Sequence, residues 1–358
     1  MKTSNKQTKT RRNFIKQTGS ASAFMAIVPT LSYSIPTYIP DLFKNKLTYN
    51  GVKLGLITYS FRSLKDQSAE ATLNYIKECG IKNIEMMGGP AEDFAGKPSS
   101  NYNRDLLYKL QKKESYNTLT EEEVRQLKEI KKQYASYNKQ NRRWLEKASF
   151  KPYEKLRKMY EAEGVSIYAY KPALFRKSNS DIEIRYGMRA AKALGASHVT
   201  LEHPQREGKK RSMSDDQHTL RLGKIAQQEN IFVAYHGHEQ QTPTFWDVAL
   251  KQSTHNAMNI DIGHYVAAGN TGPLEIIKNK HRYIKSMHVK DRTRPNRGKL
   301  NLPFGKGDTP IEEVLRLMRD KKYEFAATIE YEYKTPKNSD VLREIKKCIA
   351  YCKNALDS

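Results

Sequence analysis

The sequence predicts an α/β fold, a (β/α)8 TIM barrel with a helical insertion after its second strand. Three observations carry that prediction. Eight short segments have strand composition: LGLITYSF (54–61), IKNIEMMG (81–88), VSIYAYKP (165–172), SHVTLEHP (197–204), IFVAYHGHE (231–239), AMNIDIGH (257–264), IKSMHVKD (284–291) and FAATIEYE (325–332). Helix-like sequence separates each from the next, the alternation of a parallel sheet wrapped in helices, and eight strands close a barrel. Polar groups collect where these segments end, as in Asp261 with His264, and His288 with Lys290 and Asp291. Barrels of this kind keep their active sites at the carboxyl ends of the strands.

At the amino terminus, Thr10-Arg11-Arg12-Asn13-Phe14-Ile15-Lys16 precedes a modestly apolar stretch from Ser20 to Val28. A basic head with a short apolar middle is the layout of a secretory signal. The arginine pair resembles a twin-arginine signal, which exports folded proteins and points to the periplasm. The stretch is too short to span a bilayer, and no Cys follows it to carry a lipid, so no membrane anchor is expected. Residues 1–34 are assigned to the signal, 35–50 to a linker and 51–358 to the barrel.

Within the barrel, KECG-IKNIEM, EAEG-VSIYAY and ALG-ASHVTL each place Gly between a helix and a strand, where it can take the left-handed turn that closes the helix. Strand starts lie about one β/α unit apart, except from strand 2 to strand 3. That gap holds the insertion, residues 95–150. TLTEEEVRQLKEI carries a helix cap at Thr120 ahead of three acids, and residues 101–158 hold 16 basic against 8 acidic residues. Acids interleave with bases throughout, as on a solvated helix. Following strand 2, the insertion should stand over the carboxyl face and serve as a lid. Before the last strand, Asp308 or Thr309 is the expected cap of a helix entered through Pro310.

The formal charge is +24, of which six precede residue 41, leaving +18. Such a balance suits nucleic acid, an acidic surface or anionic substrates. Cys79, Cys348 and Cys352 read as packed thiols, because a disulfide between residues four apart strains a helix. No zinc-finger spacing and no cofactor-binding glycine signature is present.

Alternate strand residues share a face, so Glu202, His236 with His238, Asp261, His288 with Lys290, and Glu330 with Glu332 can all point into the barrel mouth. Carboxylates mixed with imidazoles suit a divalent ion. Glu202, His238 and Lys171 are the candidates for moving a proton, each at a strand end where burial or a metal can bring its pKa toward neutrality. His264, Lys290, Arg292 and Glu332 are the candidate substrate contacts. Arg292, Arg294, Arg297 and Lys299 in the loop after strand 7 suit an anion.

DIGH (Asp261–His264), MHVKD (Met287–Asp291), IEYE (Ile329–Glu332) and YHGHE (Tyr235–Glu239) resemble motifs of the xylose isomerase-like TIM barrels. That family includes sugar isomerases, ketose 3-epimerases, inosose dehydratases and endonuclease IV. The resemblance runs over residues 51–355 and is clearest after Gly164. It implies one divalent ion (Mn, Mg, Co or Zn) held by His236, Asp261, His288 and Glu330. One departure matters: many ketose epimerases carry a catalytic Glu where this chain has His236, while the inosose dehydratase branch has a similar Tyr-His-x-His run. Glu202 can restore the missing carboxylate, as a fourth anionic ligand or as the base.

The expected activity is metal-dependent isomerisation or epimerisation of a non-phosphorylated or oxidised sugar through an enediolate. The alternative is a lyase or hydratase that expels a group from the β carbon of a keto-sugar or 3-keto-glycoside. Export disfavours sugar phosphates. It also disfavours a nucleic-acid partner, and strands 2 and 3 offer Glu85 and Lys171 in place of the histidines of a three-metal nuclease. The expected partner is therefore a small sugar or keto-sugar.

Overall fold

The barrel is built from eight strands: β1 (Leu54–Ile57), β2 (Asn83–Met87), β3 (Ser166–Lys171), β4 (His198–Glu202), β5 (Phe232–His236), β6 (Asn256–Asp261), β7 (Ile284–Val289) and β8 (Ala326–Ile329). The computed structural model describes residues 47–358, so the expected twin-arginine-type signal and the expected linker up to residue 46 lie outside the described residues. All neighbouring strands run parallel, and β1 pairs with both β2 and β8, which closes the sheet. Every predicted strand segment overlaps one of these strands, with β6 beginning at Asn256, one residue before the predicted 257–264. Among the described residues no helix is long and apolar enough to cross a membrane.

Local chemistry sets the helix-to-strand junctions. Gly80 ends the helix Ala69–Cys79 at φ 69°, and Asn230 ends Met213–Glu229 at φ 51°, left-handed positions that Gly and Asn tolerate. Helix-facing strand residues such as Ile84, Val233, Ile260 and Val289 are fully buried in one apolar core with the surrounding helices. Cys79, Cys348 and Cys352 are buried free thiols.

The lumen is polar where such barrels usually stack branched aliphatics. Tyr168 reaches across it to Thr328, hydroxyl to hydroxyl at 2.6 Å. Gly55 makes room for that ring, since a Cβ there would lie 2.6 Å from the Tyr168 hydroxyl. Thr200 donates to Glu85 at 2.5 Å, with both side chains buried.

Between β2 and β3 the chain forms helices Arg104–Ser115 and Glu121–Lys147. Thr120 and Glu123 complete a reciprocal capping box on the second, satisfying two backbone donors. The two helices share a small apolar cluster of Leu107, Leu110, Leu127 and Ile130. The end of the long helix joins the barrel's outer layer, with Trp144 edge-on to Tyr186 at 5.4 Å. None of its side chains lines the large cavity at the mouth, so the expected lid is not formed in this arrangement.

Candidate active site

Strand register places the chemistry. β4 and β5 align Glu202 beside His236, and β6 and β7 align Asp261 beside His288. Glu330 and Glu332 follow directly on β8 at the same pole.

His288 sits between two carboxylates, with Nε2 at 2.9 Å from Glu85 and Nδ1 at 3.1 Å from Glu330. Burial opposes its charge, but the two acids win and push its pKa up to about 10. Lys290 donates to Glu330 at 2.9 Å and Glu332 at 2.7 Å, and its Nζ lies 3.1 Å from Asp261. These carboxylates raise its pKa against the effect of burial. Glu330 is held well below the usual carboxylate range by Lys290 and His288 although burial acts the other way, whereas burial raises Asp261.

His236 is different. Burial holds its pKa well below the ordinary value, so the ring is neutral. Its Nδ1 lies 2.9 Å from Asn259 Oδ1, while Asn259 Nδ2 donates to Ser286 Oγ at 2.7 Å. Ser286 continues to His198 Nε2 at 3.0 Å, and His198 Nδ1 lies 2.9 Å from Ser197 Oγ. This run of polar side chains descends through the barrel from the mouth toward its amino-terminal face.

The proton-moving candidates lie together on one wall. Lys171 Nζ is 2.9 Å from Glu202 Oε1, and His238 Nε2 is 3.4 Å from Glu202 Oε2. The Glu202 side chain is 50% exposed, while that of Lys171 is only 15% exposed. Despite burial, Lys171 is shifted upward by Glu202, Glu85 and Glu330, and Glu202 is shifted downward by Lys171 and the nearby histidines. Both residues line a cavity of about 920 Å³ that opens over the ends of β3 and β4.

Several sequence expectations land elsewhere. Asp291, one of the polar groups expected at the active-site end of its strand, turns away and binds the backbone N–H groups of Lys306, Gly307 and Thr309 at 2.8–3.2 Å. A Cβ on Gly307 would lie 2.1 Å from Asp291 Oδ1, so this loop requires Gly there. Arg292 is buried and bonds to His264 Nδ1 at 2.5 Å, Glu239 at 2.8 Å and the Lys299 carbonyl at 2.6 Å. Arg297 pairs with Asp308 and Lys299 with Glu239, so the loop's cations mostly serve its own fold rather than an anion. Neither Asp308 nor Thr309 caps the helix Ile311–Lys321, because Asp308 binds the Arg294 backbone and Thr309 the Arg292 backbone.

The residues present suit a divalent ion, with His288, protonated between its two carboxylates, giving up a proton as the ion enters. One donor atom each from His236, Asp261 and His288 lies within 4.8 Å of the others, all three residues buried. Asp261 Oδ2 is buried without a hydrogen bond, 4.0 Å from His236 Nε2, and the Lys290 ammonium 3.1 Å away supplies compensating charge without bonding geometry. An orphaned carboxylate oxygen facing a neutral imidazole suits a transition-metal ion. His236, His238 and His264 form a second, half-exposed group that shares His236. Glu85, Asn259 and Ser286 complete the buried network, and sequence reasoning gave them no site role. An acid set between the apolar residues Ile84 and Met86 was the one available signal for Glu85.

The model of the xylose isomerase-like TIM barrel family matches residues 73–352. The chain belongs to that family. Solved structures share its fold. One is a sugar phosphate isomerase/epimerase from Parabacteroides distasonis, at 17% identity and TM-score 0.52, covering 84% of this chain and 93% of that one. The probable 3-DHS dehydratase AsbF from Bacillus anthracis matches at 15% identity and TM-score 0.54, covering 83% and 98%. The IolI protein with a bound zinc atom matches at 14% identity and TM-score 0.55, covering 85% and 98%. No curated protein matches the chain. Of these neighbours, the first is described as an isomerase/epimerase and the second as a probable dehydratase.

Proposed function

We infer that the protein is a divalent-metal-dependent carbohydrate isomerase or epimerase acting through an enediolate on a non-phosphorylated or oxidised sugar. The observation that carries this reading is the buried, unbonded Asp261 Oδ2 facing neutral His236 beside His288 and Glu330. These four side chains would hold the ion. A structural neighbour that carries a zinc atom supports a metal in this fold, with Mn, Mg, Co and Zn all compatible with the donors here. When bound, the ion supplies Lewis-acid stabilisation of the negative charge that develops on substrate oxygens.

The chain's own groups do the rest. Glu202, kept ionised by the Lys171 ammonium 2.9 Å away, takes the proton from the carbon beside the carbonyl. His238, 3.4 Å from Glu202, receives or relays it. Lys171 remains protonated and contributes positive charge to the wall where the enediolate forms.

His236 favours a second reading. A neutral ring stands where a second carboxylate would serve two-base epimerisation, and one base suffices for loss of a β substituent. That reading is a lyase or hydratase for keto-sugars or 3-keto-glycosides. Incubation with keto-sugars and keto-glycosides in deuterated water, with Mn²⁺ supplied, decides between them. Isomerisation or epimerisation gives deuterium in a product with its substituents intact; elimination gives a product lacking the leaving group. Glu202→Gln should lower either rate by roughly 10²- to 10⁴-fold, and an unchanged rate removes Glu202 as the base.

A further inference from the structure

The cavity beside Glu202 is strongly asymmetric in charge. Six cations line it, Lys171, Arg176, Lys177, Arg206, Lys209 and Lys210, against two acids, Glu202 and Asp215. Both acids are spoken for, Glu202 by Lys171 and Asp215 by Lys177. Arg176, Arg206, Lys209 and Lys210 then face the cavity without a carboxylate partner among the described residues.

The floor is apolar, formed by Met87, Phe175 and Leu201, and Ser178 and Ser212 add hydroxyls. At about 920 Å³ the cleft exceeds what one monosaccharide fills and falls within the size range of small-molecule sites. A concave surface with uncompensated charge focuses its field on whatever enters, unlike the same charges on a convex face. The loop after β7 is less suited to this part, because Arg292 and Lys299 are engaged with Glu239 and Arg297 with Asp308.

We propose that the cleft over the ends of β3 and β4 is an anion-reading subsite that selects carbohydrates bearing a carboxylate or sulfate on the residue next to the reacting one. Arg176 and Arg206 offer planar forks to a carboxylate or sulfate, and Lys209 and Lys210 contribute point charges. The sugar ring lies on the apolar floor, and the reacting carbon sits at the inner end, against Glu202. This rests on the enediolate reading only for the orientation of the substrate; the anion preference stands on the cleft itself.

The test is calorimetric titration of the metal-loaded protein with digalacturonate, 6-sulfated galactobiose and neutral galactobiose at 50 and 200 mM NaCl. At least one acidic disaccharide should bind tenfold or more tightly than the neutral one, with affinity falling as salt rises; the stronger ligand tells carboxylate from sulfate. The triple variant Arg206→Gln, Lys209→Gln, Lys210→Gln should lose at least tenfold for that ligand. The control Lys128→Gln, Lys132→Gln, Lys139→Gln removes equal charge from the inserted helix and should bind as wild type. Equal affinity for acidic and neutral sugars, no binding of any of the three, or the same loss in the control overturns the subsite. Binding is read without turnover, so the subsite can fail while metal-dependent proton exchange persists, and exchange can fail while selective binding persists.

Discussion

His236 Nδ1 donates to Asn259 Oδ1 across 2.9 Å, and Asn259 can accept there because its amide nitrogen is spent on Ser286. The ring's lone pair is thereby left on Nε2, the atom that faces Asp261. Groups behind a ligand histidine commonly set its tautomer and tune metal affinity. Asn259→Leu removes the acceptor, and Mn²⁺ or Zn²⁺ affinity should fall about 10- to 100-fold. Nitrogen-15 shifts of His236 in the metal-free protein should show the tautomer mixing. Unchanged affinity and a single tautomer would show that Asn259 is spectator packing.

Lys290 holds Asp261, Glu330 and Glu332 together without a metal. Lys290→Met leaves Asp261 and Glu332 without this cation and Glu330 with His288 alone, and removing one partner of a buried ion pair costs about 3–5 kcal/mol. Metal-free Lys290→Met should therefore unfold at markedly lower denaturant than wild type. Because a divalent ion restores the missing charge, saturating Mn²⁺ should raise its Tm by more than it raises that of wild type. An equal metal-induced shift in both proteins would place the ion away from these carboxylates.

The polar lumen predicts acid sensitivity. Burial lowers His198 to about 4, while the unfolded chain protonates near 6.5. The native state stays neutral between those values while the unfolded state binds a proton, so stability falls as pH drops from 6.5 toward 4. The slope is about 1.4 kcal/mol per pH unit for one such group. His203, also lowered to about 4 by burial, adds a second contribution in the same window. His288 is shifted the other way, so its contribution is complete below 6.5 and is lost only as pH rises toward 10. Denaturant titrations at pH 7, 5.5 and 4.5 should show His198→Gln losing less stability per pH unit than wild type. Parallel slopes would contradict the assignment.

The strands were legible because each pairs a β-rich run with left-handed punctuation such as Gly80 and a polar end such as Glu202. Period-2 alternation was enough to bring His236, Asp261, His288 and Glu330 to one pole. Cross-barrel partnerships were not legible: Glu85 and His288 lie 203 residues apart, and neither strand encodes the other's register. Asp291 and Arg292 misled for a related reason, because a loop's demand for hydrogen bonds leaves no periodic trace. The uncompensated cations of the β3 and β4 loops looked like any basic surface until the fold made a cavity of them.

The most direct test of the central claim is metal content of the purified mature protein, wild type against Glu330→Gln, after divalent ions are supplied and excess is removed. The claim predicts close to one ion per wild-type chain and a large loss in the variant, whose carboxylate normally sits between His288 and Lys290. Wild-type protein that retains no ion would contradict it.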